Sequence, residues 1–266
     1  MTDLVHLDVS AGRATVTLDS PANRNALSAQ LRRELRGHLE AALADDAVRV
    51  VVLTHTGPVF CSGMDLRESR GAGSGDQGVR EFPAILQMLW DSPKPVVARL
   101  AGPARAGGVG LVAACDIAVA SRAGGEAKGA TFAFSEVRIG VVPAVISVTV
   151  LPRLLPRAAH ELMLTGEVFD ADRAAAVGLL NAAVDPGELD GTVDRYVDML
   201  TLGAPSALAA TKAMLRRTPS DDMGEDLDAM LALSAEFFAS DEGQEGMAAF
   251  AEKRTPRWAA SATPSS

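Results

Sequence analysis

The fold is read from AGPARAGGVGLVAACD, residues Ala101–Asp116. Gly102 and Pro103 break the chain there, glycines follow at 107, 108 and 110, and the apolar run Leu111–Ala114 comes next. A Gly-rich turn that opens a helix leaves the first N–H groups of that helix without internal acceptors. With the positive end of the helix dipole behind them, those donors can hold an anion or a polarised carbonyl oxygen. Glycine lets a ligand come close to the backbone, at an entropic cost. Three uses fit the stretch: a tight strand-to-helix turn without chemistry, a dinucleotide fingerprint, and an oxyanion site. The fingerprint rests on Gly108–Ala113, which satisfies G-x-G-x-x-A after the strand-like Pro95–Leu100. It belongs in the first strand–helix unit of a domain, whereas here two strand-like runs and a helix come earlier. The oxyanion use depends on partners elsewhere in the chain.

Outward from this turn, Val96–Leu100 and Arg49–Thr54 are continuous apolar runs, as expected of strands buried on both faces. Between them lie VFCSGMDL (Val59–Leu66), broken by Ser62-Gly63, then a Gly/Ser-rich charged loop at Arg67–Gly78 and helix-compatible residues at Arg80–Trp90. At the N-terminus, Val5, Leu7 and Val9, then Ala14, Val16 and Leu18, alternate with polar residues about the turn Ser10–Arg13, predicting a hairpin. Pro21–Asn25 reads as a loop, and Ser28 as the N-cap of a helix to Ala44. Beyond the turn, Asp116–Ala120 is a third apolar run, and Thr131–Phe134 a short strand leading to Glu136. From Pro156 onward the chain reads as helices over 157–165, 171–177, 187–202, 206–216, 222–239 and 241–252, with one extended piece at Leu179–Asp185 and a disordered tail after Trp258. Strands alternating with helices imply an α/β architecture with parallel pairing. No sequence repeat stands out.

A chain of 266 residues can bury a large core without staples. The net charge of −9 and the lack of a basic patch interleaved with aromatics argue against a nucleic-acid partner. No apolar run reaches 18 residues, so no transmembrane helix and no membrane partner are expected. MTDLVHLDVS has no basic region before an apolar core, so no signal peptide is expected either. Cys61 and Cys115, each in apolar surroundings, read as reduced thiols of a cytoplasmic protein. His6, His38, His55 and His160 are scattered and lack Cys partners, so no metal site is expected.

Glu136 is the main chemical candidate, a carboxylate among Phe132, Phe134, Val137 and Ile139. Burial would raise its pKa and suit it to proton transfer; the plainer use is the polar side of a strand end. Covalent catalysis has little support: Ser62 lacks the G-x-S-x-G elbow, and Cys61 has no histidine at a recognisable spacing.

Taken together, Pro21 with Asn25-Ala26-Leu27, GPVFCSGMDL, AGPARAGGVGLVAACDIAVA, FAFSEVRIGVVP, LTGEVFDADRAAAVGLLNAAV and the terminal EGMAAFAEKRTPRW resemble, in order, the enoyl-CoA hydratase/isomerase superfamily of crotonase fold. The resemblance implies a spiral of ββα units over residues 1–200, a helical region at 201–258 that assembles trimers or hexamers, and a tail at 259–266. It implies an acyl-CoA thioester as partner, with coenzyme A entering as part of the substrate and no separate cofactor. By position, the backbone N–H groups of Ser62 and Gly107 would be oxyanion donors to an enolate oxygen. Arg24 would face the CoA phosphates, Ala26, Leu27, Gly63, Met64, Asp65, Leu66 and Gly108 would shape the CoA pocket, and Phe250 and Lys253 would reach CoA, commonly from a neighbouring subunit.

One departure bears on the reaction. Hydratases of the superfamily carry two catalytic glutamates; the second matches Glu136, preceded here by Ser135 where proline is usual, and the first falls at Gly110. A single carboxylate suits proton movement between C2 and C4 in a Δ3,Δ2-enoyl-CoA isomerase. Yet GLVAACDIAVA with FAFSEVRIGVVPAVIS also resembles the branch of methylglutaconyl-CoA and isohexenylglutaconyl-CoA hydratases, where glycine at the first position is common. Hydratase therefore ranks first, isomerase second, and a non-catalytic acyl-CoA binder third. Arg105 is expected either to receive an acyl carboxylate or to be a surface arginine.

Overall fold

The alternation at the N-terminus produces a hairpin, β1 (Val5–Ser10) antiparallel to β2 (Arg13–Leu18). The computed structural model describes residues 2–69 and 81–260. Helix α1 (Ala29–Ala44) starts where Ser28 caps it, the hydroxyl accepting the Leu31 N–H, and buries Leu31, Leu35 and Leu39. All six residues of β3 (Val50–His55) are buried. A short helix α2 (Leu66–Ser69) and α3 (Glu81–Asp91) follow, then β4 (Val96–Leu100), β5 (Ala104–Arg105), α4 (Gly107–Ala114), β6 (Ile117–Ser121) and β7 (Thr131–Ala133). Next come α5 (Ala144–Val150), α6 (Pro156–Thr165), β8 (Phe169–Asp170), α7 (Ala171–Ala176), β9 (Ala182–Val184) and α8 (Leu189–Thr201). The chain ends in helices α9 (Pro205–Leu215), α10 (Met223–Ala239), α11 (Asp241–Glu252) and α12 (Arg257–Ala260).

Six strands form one sheet in the order β1-β2-β3-β4-β6-β9, parallel after the first pair, and β5-β7-β8 form a second, smaller sheet. The chain winds between them: β4 joins the large sheet and β5 the small one before α4, and β6 and β7 do the same before α5. An earlier lap leaves the isolated bridge Cys61↔Ala104 after β3. This is the ββα spiral. No repeat is visible in the sequence because the small-sheet strands are two or three residues long.

The central strands are apolar on both sides because each side has a core. Val51, Leu53, Ala98 and Leu100 pack with the helices of the main cluster, while Val50, Val52, Val97 and Val119 pack against Leu189, Val193 and Val197 of α8. The C-terminal helices are tied on by polar contacts. Buried Lys212 of α9 places its Nζ 2.6 Å from Asp116 Oδ2 and 3.1 Å from the Leu89 carbonyl, and Arg49 donates to the carbonyls of Trp258 and Gly203. Among the described residues no helix is long and apolar enough to cross a membrane.

Four expectations need correction. α4 begins at Gly107 rather than at Leu111, and all eight of its residues are buried, as an all-round apolar helix requires. Residues Leu66–Ser69, expected within or beside a loop, form α2, which Asp65 initiates; the rest of the expected loop, 70–78, lies outside the described residues. α5 was not expected, since Pro143 and the β-branched run around it mask a short helix. Ala259, expected in the tail, is buried in α12, and 261–266 lie outside the described residues.

Candidate active site

The segment carrying Ser62 lies directly across the start of α4. Phe60 N–H donates to the Pro103 carbonyl at 3.0 Å and Arg105 N–H to the Cys61 carbonyl at 2.9 Å. A Cβ at Gly108 would come within 2.6 Å of the Cys61 carbonyl oxygen, so only glycine permits this approach. Gly63, at φ 88°, lies close enough that its Cβ would sit 3.4 Å from the Gly107 nitrogen. Ala106, the residue before α4, has φ 47° and ψ −118°, a conformation that costs a non-glycine residue about 1–3 kcal/mol. That strain aims the first turn of the helix.

The two expected oxyanion donors differ in state. The Gly107 N–H makes no hydrogen bond among the described residues, whereas the Ser62 N–H donates to the Arg24 carbonyl at 3.1 Å. A ligand oxygen that draws on both must take the place of that carbonyl. Arg24 and Asn25 are both left-handed, at φ 61° and 52°. Asn25, fully buried, fixes this kink: its side chain accepts the Ser20 N–H and donates to the carbonyls of Thr56 and Val59. Sequence reasoning missed this role, and an asparagine four residues after the loop proline Pro21 was the available signal.

Glu136 follows the small sheet, whose strand β5 leads into α4. β5 and β7 run parallel with Arg105 opposite Ala133, and the Ala106 N–H donates to the Ala133 carbonyl at 3.1 Å. Three residues later Glu136 sits in a 3₁₀ turn, Ser135–Ile139, closed by left-handed Gly140. Phe132 and Phe134 are buried as expected, while Val137 and Ile139 are exposed. Oε2 of Glu136 is buried and has no hydrogen-bond partner among the described residues, and burial raises the pKa of the carboxyl above its ordinary value. An unpartnered buried carboxylate oxygen is costly, and it is poised to take up a proton.

Where a first glutamate would stand, the space is filled. A Cβ at Gly110 would lie 2.5 Å from Cγ2 of Ile146, a buried residue of α5. The wall facing α4 at this point is therefore apolar, and Glu136 has no carboxylate partner from position 110. Ile146 was not singled out from the sequence, because its role depends on α5.

Of the other expected residues, Leu27 lies closest to the donors: its N–H donates to the Gly63 carbonyl at 2.8 Å, it bridges to Met64, and its Cδ1 would be 2.9 Å from a Cβ at Gly107. Ala26 is buried beside it, and the exposed Arg24 side chain makes no hydrogen bond or ion pair among the described residues. Buried Asp65 turns its carboxylate to Arg67, at 2.8 Å, whose hydrogen bonds lower its pKa; Leu66 is exposed. Phe250 and Lys253, at the end of α11, stand at the surface, Lys253 in the left-handed C-cap position. Burial pushes the Cys61 thiol up to about 12, which leaves it protonated and poorly nucleophilic. Arg105 is not the free receptor weighed from the sequence. Its guanidinium clasps β7, donating to the carbonyls of Ala104 and Thr131 and to the Thr131 hydroxyl.

The family described as Enoyl-CoA hydratase/isomerase matches residues 8–261. The crystal structure of an enoyl-CoA hydratase from Mycobacterium avium is 44% identical, with a TM-score of 0.71 over 97% of this chain and 100% of its own. That of an enoyl-CoA hydratase from Mycobacterium smegmatis is 32% identical, with a TM-score of 0.87 over 96% of this chain and 98% of its own. A carnitinyl-CoA dehydratase from Proteus mirabilis is 32% identical over 267 residues, covering 97% of this chain and 99% of its own. This chain belongs to the enoyl-CoA hydratase/isomerase family and has the crotonase fold.

Proposed function

We propose that this protein adds water across the double bond of a 2-enoyl-CoA thioester, with coenzyme A entering as part of the substrate. The observation that carries the reading is Oε2 of Glu136, buried and without a partner among the described residues, three residues beyond the strand pair that leads into Gly107. The thioester oxygen takes the Gly107 N–H, and the Ser62 N–H once the Arg24 carbonyl yields it. Two such donors stabilise the enolate that forms as water bonds to C3, each by about 3–4 kcal/mol in comparable sites. The water proton passes to Glu136, and Glu136 delivers a proton to C2, so the addition balances with one carboxylate. The names of the relatives, hydratases and a dehydratase, support this direction of chemistry. Exposed Leu227, Leu231 and Phe238 on α10 support the self-association that the family resemblance implies.

A second reading, Δ3,Δ2-enoyl-CoA isomerase, is favoured by Ile146, which puts an aliphatic wall where a second carboxylate would hold the water. Turnover in H₂¹⁸O separates the two. Label in a 3-hydroxyacyl product supports hydration. Double-bond migration without label replaces hydration by isomerisation, and binding without either product leaves an acyl-CoA binder.

A further inference from the structure

We infer that the acyl group taken by this site is uncharged and of medium length, its tail running along α3 into a cavity between α3 and α5. The inference rests on the acyl-thioester reading above and deepens it. The cavity measures about 520 Å³ and is lined by Leu86, Trp90 and Asp91 of α3 and Val145, Val148 and Thr149 of α5, among others. The same two helices flank the donor glycines. Phe82 of α3 would be 3.3 Å from a Cβ at Gly107, Ile146 of α5 fills the space at Gly110, and the Thr149 hydroxyl donates to the Gly110 carbonyl at 3.3 Å.

The path from thioester to cavity therefore follows one helix. From Phe82 to Trp90, α3 advances about 12 Å, the reach of an extended medium-length chain. A crotonyl group would leave most of the cavity empty, and the volume falls within the roughly 300–1,000 Å³ of small-molecule pockets. Charge decides the rest. The only ionisable side chain lining the cavity among the described residues is Asp91, an acid, 3.7 Å from Arg216. Arg105, the base weighed as a receptor for a glutaconyl-type carboxylate, is committed to Thr131. A carboxylate tail would lose its water among apolar side chains, and Arg216 is already paired with Asp91.

Saturated thioesters test this without turnover, by titration calorimetry on the wild-type protein. Decanoyl-CoA is expected to bind at least about tenfold tighter than acetyl-CoA, since each buried methylene contributes about fourfold. Glutaryl-CoA is expected to bind no tighter than acetyl-CoA. Decanoyl-CoA equal to acetyl-CoA, or glutaryl-CoA tighter than decanoyl-CoA, overturns the inference while leaving the hydration reading intact. Failure of all three to bind overturns the acyl-CoA reading and the inference with it. Val148→Trp fills the cavity from a position that is 73% exposed, and it is expected to reduce the decanoyl advantage at least about tenfold. An undiminished advantage in the folded variant overturns the placement of the tail.

Discussion

A methyl group added at position 110 would lie 2.5 Å from Cγ2 and 3.0 Å from Cβ of Ile146. In the interior of a helix, Gly→Ala ordinarily stabilises by about 1 kcal/mol. Overpacking of a filled core costs about 1–3 kcal/mol. The clash therefore wins, and Gly110→Ala is expected to destabilise by up to about 2 kcal/mol. Ile146→Ala alone is expected to cost about 2–5 kcal/mol through lost packing and the cavity it leaves. In that background the 2.5 Å contact with Cγ2 is gone and only the 3.0 Å contact with Cβ remains, so Gly110→Ala is then expected to cost at least about 1 kcal/mol less. The prediction is a coupling between the two sites, read from denaturant unfolding of the four proteins at one fixed protein concentration. If Gly110→Ala has the same effect in both backgrounds to within about 0.5 kcal/mol, Ile146 does not occupy that space and the account of the missing first carboxylate is wrong.

The remaining predictions concern charge. Because the Glu136 pKa is raised and the base acts ionised, turnover is expected to rise with pH through a value above the ordinary 4.5, and a flat profile would count against it. In the fold the ionised carboxylate is disfavoured above its raised pKa, and that penalty vanishes as pH falls to the unfolded value. Glu136→Gln is therefore expected to stabilise most near pH 8 and least near pH 4 by roughly the same melts, and a pH-independent difference would contradict the burial argument. Lys212→Met leaves Asp116 without its 2.6 Å partner and is expected to cost about 3 kcal/mol, the low end for a buried pair because Asp116 keeps some exposure; an unchanged unfolding midpoint would refute it. Arg24→Gln is expected to raise KM for CoA thioesters by about threefold, an effect that fades with added salt, whereas a fall in kcat at constant KM would place Arg24 elsewhere.

Much of this was legible in the residues. Alternation gave the hairpin, Ser28 gave the start of α1, and the unbroken apolar runs of β3, β4 and β6 announced strands with a core on each side. Glu136 stood out as an acid in an apolar run, and the glycines of the turn as places where a ligand could approach the backbone. What stayed hidden was whatever depends on two distant segments meeting. The small sheet consists of strands too short to carry a period, and the Ile146 contact with Gly110 exists only once α5 docks on α4. The engagement of the Ser62 N–H by Arg24 is a backbone contact with no side-chain signature. Arg105 misled because an unusual base near a glycine turn suggests a ligand, while its partners, the carbonyls of Ala104 and Thr131, are invisible in composition.

The central claim is that Glu136 moves the proton at C2 of a thioester whose oxygen is held at Gly107. The most direct measurement is the exchange of C2 hydrogen for deuterium in butyryl-CoA incubated with the protein in D₂O, followed by mass spectrometry. It does not depend on whether hydration or isomerisation follows. The account predicts exchange with the wild-type protein and a loss of at least about 100-fold in Glu136→Gln, with butyryl-CoA still bound. Exchange at the wild-type rate in that variant would contradict it.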